Sequence, residues 1–321
     1  MNYGDKALLR ENYPMMRDYT EYLIAADKEA GGTHIVFSSF TFGDWLAQDG
    51  MGPQSLKGGT DDAFIQGVYY LNSVNLTAKA AMEIGETADA EKYASLAKAI
   101  HAALLDEYVS PNGNLTIDTQ TGHVHALYFG IYRKKEKLIT GLKKRLWRDF
   151  YRITCGFTGA PLMLPVLLDN GMTDIAYRML LTEEFPGWLY AVNLGATTIW
   201  ERWNSLEADG TISGTGMNSL NHYAYGSVCE AIYSRIMGLQ NAAPGWKKAL
   251  IAPRIDGRIK HAFIVFDSPV GKWEVQWRIA ESGEVTLAIT VPEGAEAHVI
   301  LPDHPERHEA DVTAGSYRWS W

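Results

Sequence analysis

The sequence predicts a mainly α chain that ends in a β domain: helical hairpins arranged as a toroid, followed by an antiparallel β-sandwich. Three observations carry this. Apolar side chains recur at helical spacing through most of residues 5–237. The helical stretches are joined in pairs, with longer loops gathered on one side, as in a ring of helical hairpins. At about residue 241 the pattern changes to short β-branched and aromatic runs separated by Gly, Pro and Asp.

The elements follow in order. Residues 5–26 place Leu8, Leu9, Tyr13, Met16, Tyr19, Leu23 and Ile24 at helical spacing, and Pro14 predicts a kink or a break after a first short piece. Residues 33–60 form a long loop centred on "SSFTFGDWLAQDGMGP", and loops of that length in compact domains tend to be functional. A helix over 61–85 opens on Asp61 and Asp62, which favour the positive end of the helix dipole, and closes near Gly85. A very short connection makes 88–108 its antiparallel partner. Helical patterns follow at 123–132, 134–150, 159–170, 172–182 and 217–237, with "TCGFTGAP" and "EEFPGWLY" as loops between them. "KALIAP", "HAFIVFDSP", "KWEVQWRIA", "EVTLAITVP", "AEAHVILP" and "SYRWSW" read as strands. Trp273, Val275, Trp277 and Ile279 alternate in the third of these. The domains are therefore 1–240 and 241–321.

The bulk numbers bound the function. With 321 residues, 46% hydrophobic and 21% charged, the chain can bury a real core. A net charge of −9 argues against nucleic acid or an anionic membrane as partner. The basic cluster Lys134–Lys137 with Lys143–Arg148 lies in a helical stretch and reads as a solvated face. Cys155 and Cys229 make neither a disulfide framework nor a zinc site, and both read as buried small hydrophobes. No apolar run approaches the roughly 20 residues of a membrane span. The residues from Met1 to Arg10 are polar and charged, unlike a signal peptide, so the simplest location is cytoplasmic. The unusual number is aromatic: 10 Trp and 17 Tyr, side chains whose flat apolar face and polar edge suit sugar rings.

Three stretches could carry chemistry. In "GATTIWERWNS", residues 195–205, Glu201 sits between Trp200 and Trp203. A carboxylate between large rings is partly desolvated, a setting that suits an acid or base in glycoside hydrolysis. Equally, Glu201 could be a structural partner of Arg202, with both tryptophans in the core. In "FGDWLAQDG", residues 42–50, Asp44 could bind sugar hydroxyls while Trp45 stacks on the ring. It could also staple the loop by capping backbone groups. In "GTGMNSLNHYAYGSVCEAIY", residues 214–233, Asn218, Asn221 and His222 stand at the start of the expected helix. There His222 could donate to a substrate hydroxyl, or merely cap and pack. His123 and His125 are two apart and diverge on a helix, which makes a poor metal pair. The phosphate-binding loop, the dinucleotide fingerprint, HExxH and GxSxG are all absent.

Taken in order, "FGDWLA", "TQTGHVHALYFG", "CGFTGAPLMLPVLLDNGMTDIAYRMLL", "FPGWLYAVNLGATTIWERWNS", "MNSLNHYAYGSVCEAIY" and "LIAPR" resemble bacterial α-L-rhamnosidases of glycoside hydrolase family 78. The resemblance covers essentially the whole chain. It implies an (α/α)6 toroid followed by a β-sandwich, and release of terminal α-L-rhamnose from a rhamnose-containing glycoside with inversion by two carboxylates. It also implies that Glu201 is the general base and that Trp45 and His222 belong to the sugar site, with Asp44 beside them and Trp200 and Trp203 shaping the apolar wall. No cofactor is required, and no ligand cluster demands a metal. The sequence departs from the family at Asn204, where members often carry Asp, and more seriously at the general acid. That residue is a glutamate in an "RxERxGWxGD"-like segment, and none occurs between Met1 and Phe42. The expectation is a toroid incomplete at its N-terminus, whose exposed apolar surface favours a homo-oligomer or a separate N-terminal polypeptide.

Overall fold

The computed structural model describes residues 1–35, 40–50, 52, 55–214 and 216–321. Ser38, Ser39, Met51 and Pro53 of the "SSFTFGDWLAQDGMGP" loop lie outside the described residues. By internal contact the chain divides into two units. One comprises Lys6–Val166 and Arg178–Gly226, and the other Met1–Asp5, Leu167–Tyr177 and Ser227–Trp321.

The first unit opens on α1 (Lys6–Glu29), which continues through Pro14 as one helix, so of the kink or break that the sequence predicts the break does not occur. Leu9, Tyr13 and Met16, on both sides of the proline, pack on one patch of Ala80, Ala81 and Ala90. The Tyr13 hydroxyl donates to Asp89 at 2.6 Å, so tertiary contact outweighs the single backbone bond a proline removes. α2 (Asp62–Ile84) and α3 (Thr87–Tyr108) form the expected hairpin. Asp61 caps α2 by accepting from the Phe64 amide at 2.9 Å, and Gly85 ends it with φ of 90°, where a Cβ would be strained. α4 (Gln120–Phe129) starts with Thr119 accepting from the Gly122 amide, and Gln120 to Leu127 are all buried. α5 (Lys135–Arg148) buries Leu138, Leu142 and Leu146 and leaves its lysines outside, the solvated face read from the sequence. α6 (Ala160–Asp169) begins in this unit and α7 (Thr173–Leu180) ends in it, with Leu167–Tyr177 belonging to the other unit, and both follow as expected. α8 (Trp188–Asn193) is a short helix inside what reads as the "EEFPGWLY" loop.

The predicted helix over 217–237 starts late, at Ala224, and runs to Ile236 as successive 3₁₀, α and π turns. Residues 217–223 are irregular, and helical structure begins with a 3₁₀ turn at Ala224–Ser227 and α9 (Val228–Ala231). Polar side chains compete with the helix here. Ser219 Oγ accepts from the Asn221 amide, Asn218 Nδ2 donates to the Ser205 carbonyl, and Met217 holds a φ of 56°. His222 therefore stands in a loop rather than at a helix start. Cys155 is buried as expected, but Cys229 on α9 is exposed, because that short helix turns it to solvent.

The second unit carries the strands β1 (Leu239–Asn241), β2 (Lys248–Ile251), β3 (His261–Ser268), β4 (Gly271–Ile279), β5 (Val285–Val291), β6 (Glu296–Ile300), β7 (Glu309–Val312) and β8 (Gly315–Ser320). They form two four-stranded sheets, β1-β2-β6-β7 and β3-β4-β5-β8. All pairings are antiparallel except β2 with β6, which are joined by a crossover through the other sheet. β1 and β7 carry too few residues for a period to show in the sequence. Trp273, Val275 and Trp277 alternate inward against Leu287, Ile289 and Val291 of β5, as their spacing predicts. The Trp277 indole donates to the Ile236 carbonyl at 3.0 Å. Among the described residues, no helix is long and apolar enough to cross a membrane.

Candidate active site

Four loops of the first unit converge: 42–47, 154–159, 196–205 and 216–223. Asp44 ties the first two together. It is buried, and its carboxylate accepts five hydrogen bonds, all from within the protein. One oxygen takes the Thr121 hydroxyl at 2.5 Å and the Gly156 amide at 2.8 Å. The other takes the Thr158 amide at 3.0 Å, the Thr158 hydroxyl at 2.7 Å and the Gly159 amide at 3.3 Å. Two oxygens offer about four lone-pair positions, so no acceptor capacity is left for a ligand. Of the two readings open from the sequence, the geometry is that of the loop staple. Gly156 is where the loops meet. A Cβ there would strike the Trp45 carbonyl and the Ala47 amide, so only glycine fits.

Trp45 is half-buried, set edge-on to Phe42 with ring centres 5.5 Å apart. Its carbonyl accepts from the Phe157 amide at 2.9 Å. The Phe157 ring in turn stacks on His222, with centroids 4.9 Å apart. His222 Nδ1 accepts from the Ala224 amide at 3.3 Å. That contact puts the imidazole proton on Nε2, which is left as a donor. Phe157 is thus the link between the two predicted sugar residues. Its own signal, an aromatic between glycines in "CGFTGA", was too generic to single it out.

The segment bearing Glu201 runs beside the histidine loop. The Glu201 amide donates to the Ser219 carbonyl at 2.9 Å, and the His222 amide to the Ile199 carbonyl at 2.8 Å. Trp200 and Trp203 are both buried, with Trp203 stacked on Tyr225 at 3.9 Å and edge-on to Trp188. The Tyr225 hydroxyl is held well above its ordinary range, first by burial and then by the Asp44 charge. Arg202 is not the partner of Glu201. Its guanidinium donates to the Met217 carbonyl at 3.0 Å and the Gly216 carbonyl at 2.7 Å. Among the described residues, the Glu201 carboxylate makes no hydrogen bond or ion pair, although the residue is only 8% exposed. Its oxygens are not buried from solvent, so water or a ligand hydroxyl can satisfy them.

Asp49, in the same loop as Asp44, is a carboxylate the sequence reading passed over. Burial raises its pKa, the Asp44 charge raises it further, and the Gly59 amide opposes both. His125 is fully buried beside the staple, with Nε2 on the Thr158 carbonyl at 3.1 Å. Burial lowers the pKa of His125 and of His123, the Asp44 charge opposing it at His125. A histidine with a depressed folded pKa adds stability above its unfolded value of about 6.5, and that stability is lost as pH falls toward the folded value. The melting temperature is therefore expected to drop as pH is taken from about 7.5 to about 5, and to drop less in a His123→Gln/His125→Gln variant. A wild-type melting temperature flat across that range would contradict the assignment.

Residues 1–236 match the model of the bacterial α-L-rhamnosidase six-hairpin glycosidase domain, and residues 238–316 that of the bacterial α-L-rhamnosidase C-terminal domain. An α-L-rhamnosidase of Alteromonas sp. is 36% identical over 309 residues, covering 94% of this chain and 33% of the relative. One from Streptomyces avermitilis is 34% identical, covering 95% of this chain and 28% of its own length. The crystal structure of a Streptomyces avermitilis α-L-rhamnosidase complexed with L-rhamnose superposes with a TM-score of 0.88 at 32% identity, over all of this chain and 31% of that one. The Aspergillus terreus α-L-rhamnosidase gives 0.89 at 28% identity, over 99% of this chain and 37% of that one. The chain thus spans about a third of the length of the curated relatives it matches. With a six-hairpin match over 1–236, a C-terminal-domain match over 238–316 and a fold shared with solved α-L-rhamnosidases, the chain belongs to the bacterial α-L-rhamnosidase family, glycoside hydrolase family 78.

Proposed function

We propose that this chain carries the base half of an inverting hydrolase that releases terminal α-L-rhamnose from rhamnosides. The observation that carries the reading is Glu201. It is a nearly buried carboxylate between two buried tryptophans, with no partner among the described residues and with the neighbouring arginine turned elsewhere. In this role Glu201 takes a proton from water as the water oxygen attacks the anomeric carbon. The glycosidic oxygen leaves with a proton from an acid on the opposite face. Trp45 offers its ring edge and face to the sugar, and the Nε2–H of His222 donates to a hydroxyl. Trp200 and Trp203 back the wall from the core. Asp44 acts one step behind, by fixing the loop that presents Trp45.

The acid half is proposed to come from a segment outside these 321 residues. Asp44 cannot supply it, since its acceptor sites are filled by donors from the protein. A surface that could receive such a segment lies on α1, where Met15, Tyr19 and Tyr22 follow one another at helical spacing and are 66%, 55% and 66% exposed. A second copy of the chain could cover the same stripe. A domain boundary near residue 240 is part of this proposal, and the six-hairpin match over 1–236 supports it.

The test is hydrolysis of an aryl α-L-rhamnoside by the chain, with rhamnose binding followed by calorimetry and the product anomer by NMR. Release of rhamnose with inversion supports a complete site. Rhamnose binding without release supports the half-site. Neither binding nor release would overturn the assignment.

A further inference from the structure

The outer face of the β3-β4-β5-β8 sheet carries an arrangement that a plain solvated face does not need. One cross-strand row runs Phe263, Gln276, Ala288 and Arg318, as the ladder registers require. With strands about 4.8 Å apart the row spans about 14 Å, room for a short oligosaccharide. Ala288 is the smallest side chain in the row. It floors a depression of about 280 Å³, walled by Gln276, Glu274 and Arg318. Phe263 is 72% exposed at one end and Val265 beside it 49% exposed, so a bare aromatic ring flanks a polar hollow.

The charges on this face are unevenly satisfied. Asp267 stands opposite Lys272 in the ladder, and Glu274 accepts from the Thr290 hydroxyl at 3.2 Å. Arg278 and Arg318 have no carboxylate partner, and the Gln276 amide makes no hydrogen bond, among the described residues. A free guanidinium fork is matched to a carboxylate. A planar amide suits neighbouring hydroxyls, and an exposed ring suits the apolar face of a pyranose. Lys272, Arg278 and Arg318 stand against Asp267 and Glu274 on this face, a local excess of one positive charge on a chain whose net charge is −9.

We propose that this sheet face is a second carbohydrate site, separate from the catalytic loops, which binds an acidic oligosaccharide with Phe263 under a sugar ring and Arg318 on a uronate carboxylate. The choice of a sugar over another anion rests on the rhamnosidase reading above. The site would hold a carboxylate-bearing glycan against the protein while its rhamnose ends are processed.

The full chain is run in native gels containing soluble polygalacturonate or, as the neutral probe, dextran. Retardation by polygalacturonate but not by dextran is expected. Phe263→Ala and Arg318→Ala should each weaken the affinity about five- to tenfold, with an unchanged melting curve. Glu201→Gln should leave the retardation intact, which separates this site from the catalytic one. Absence of retardation would overturn the proposal. So would equal retardation by dextran, or loss in Glu201→Gln. A full effect of Phe263→Ala on the gel beside unchanged rhamnoside hydrolysis supports it. If Phe263→Ala does nothing and Lys272→Ala weakens binding as much as Arg318→Ala, the surface is only an ion exchanger and the proposal fails. Rhamnose release is scored separately, so failure of the hydrolase reading is not mistaken for failure of this one.

Discussion

Asp44→Ala is expected to lower the unfolding free energy by about 3–5 kcal/mol. The carboxylate is 1% exposed and accepts five bonds, three of them from the backbone amides of Gly156, Thr158 and Gly159. The two threonine hydroxyls can rotate to new partners. The three amides cannot, and each buried donor left unmade costs about 1–3 kcal/mol, though not additively. Against a total stability of about 5–15 kcal/mol, this is a large fraction. Asp44→Asn should fall between variant and wild type, because one amide oxygen can keep part of the set while the amide nitrogen faces donors. Urea unfolding measures both. If Asp44 were instead the proton donor to the leaving group, Asp44→Asn would lose activity at nearly unchanged stability. A loss below about 1 kcal/mol in Asp44→Ala would overturn the staple.

Glu201→Gln should do the opposite. Rhamnoside hydrolysis, by the chain or by its assembly with a completing segment, is expected to fall about 10²–10⁴-fold, the usual share of a general base. Stability should change by no more than about 0.5 kcal/mol, because the side chain keeps its shape and surrenders no internal bond. Rhamnose affinity should persist, since the sugar contacts proposed for Trp45 and His222 are untouched. Equal rates for wild type and variant would remove Glu201 from the base role. The contrast between the two carboxylates is instructive: one is saturated by the protein, the other held in reserve.

How much of this was legible in the sequence depended on the range of the interaction. Local periodicity placed α1 to α7 and six of the strands within a few residues. It failed where short polar side chains bonded the backbone, as at Ser219 and Asn218, and where strands had too few residues, as in β1 and β7. Glu201, Trp45 and His222 could be picked out by residue type and by family resemblance. What joined them could not. The partners of Asp44 lie 77 to 115 positions away, and Phe157 touches His222 only because two loops fold back on each other. The unpaired state of Glu201 depended on where Arg202 turned, which is a property of the loop at 216–217 rather than of the neighbouring residue.

The Asp44 staple also bears on the time course of folding. Its bonds close loops of 77, 112, 114 and 115 residues, and Tyr225 reaches the Leu46 carbonyl across 179. Helical hairpins such as α2–α3 form from near neighbours and are fast, whereas contacts this distant must await chain closure. The loops tied by Asp44 should therefore assemble late in refolding, after the helices that carry them. On the ribosome, the Asp44 carboxylate meets its first partner, Thr121, only after 77 further residues, and its three backbone amides only after 112 to 115.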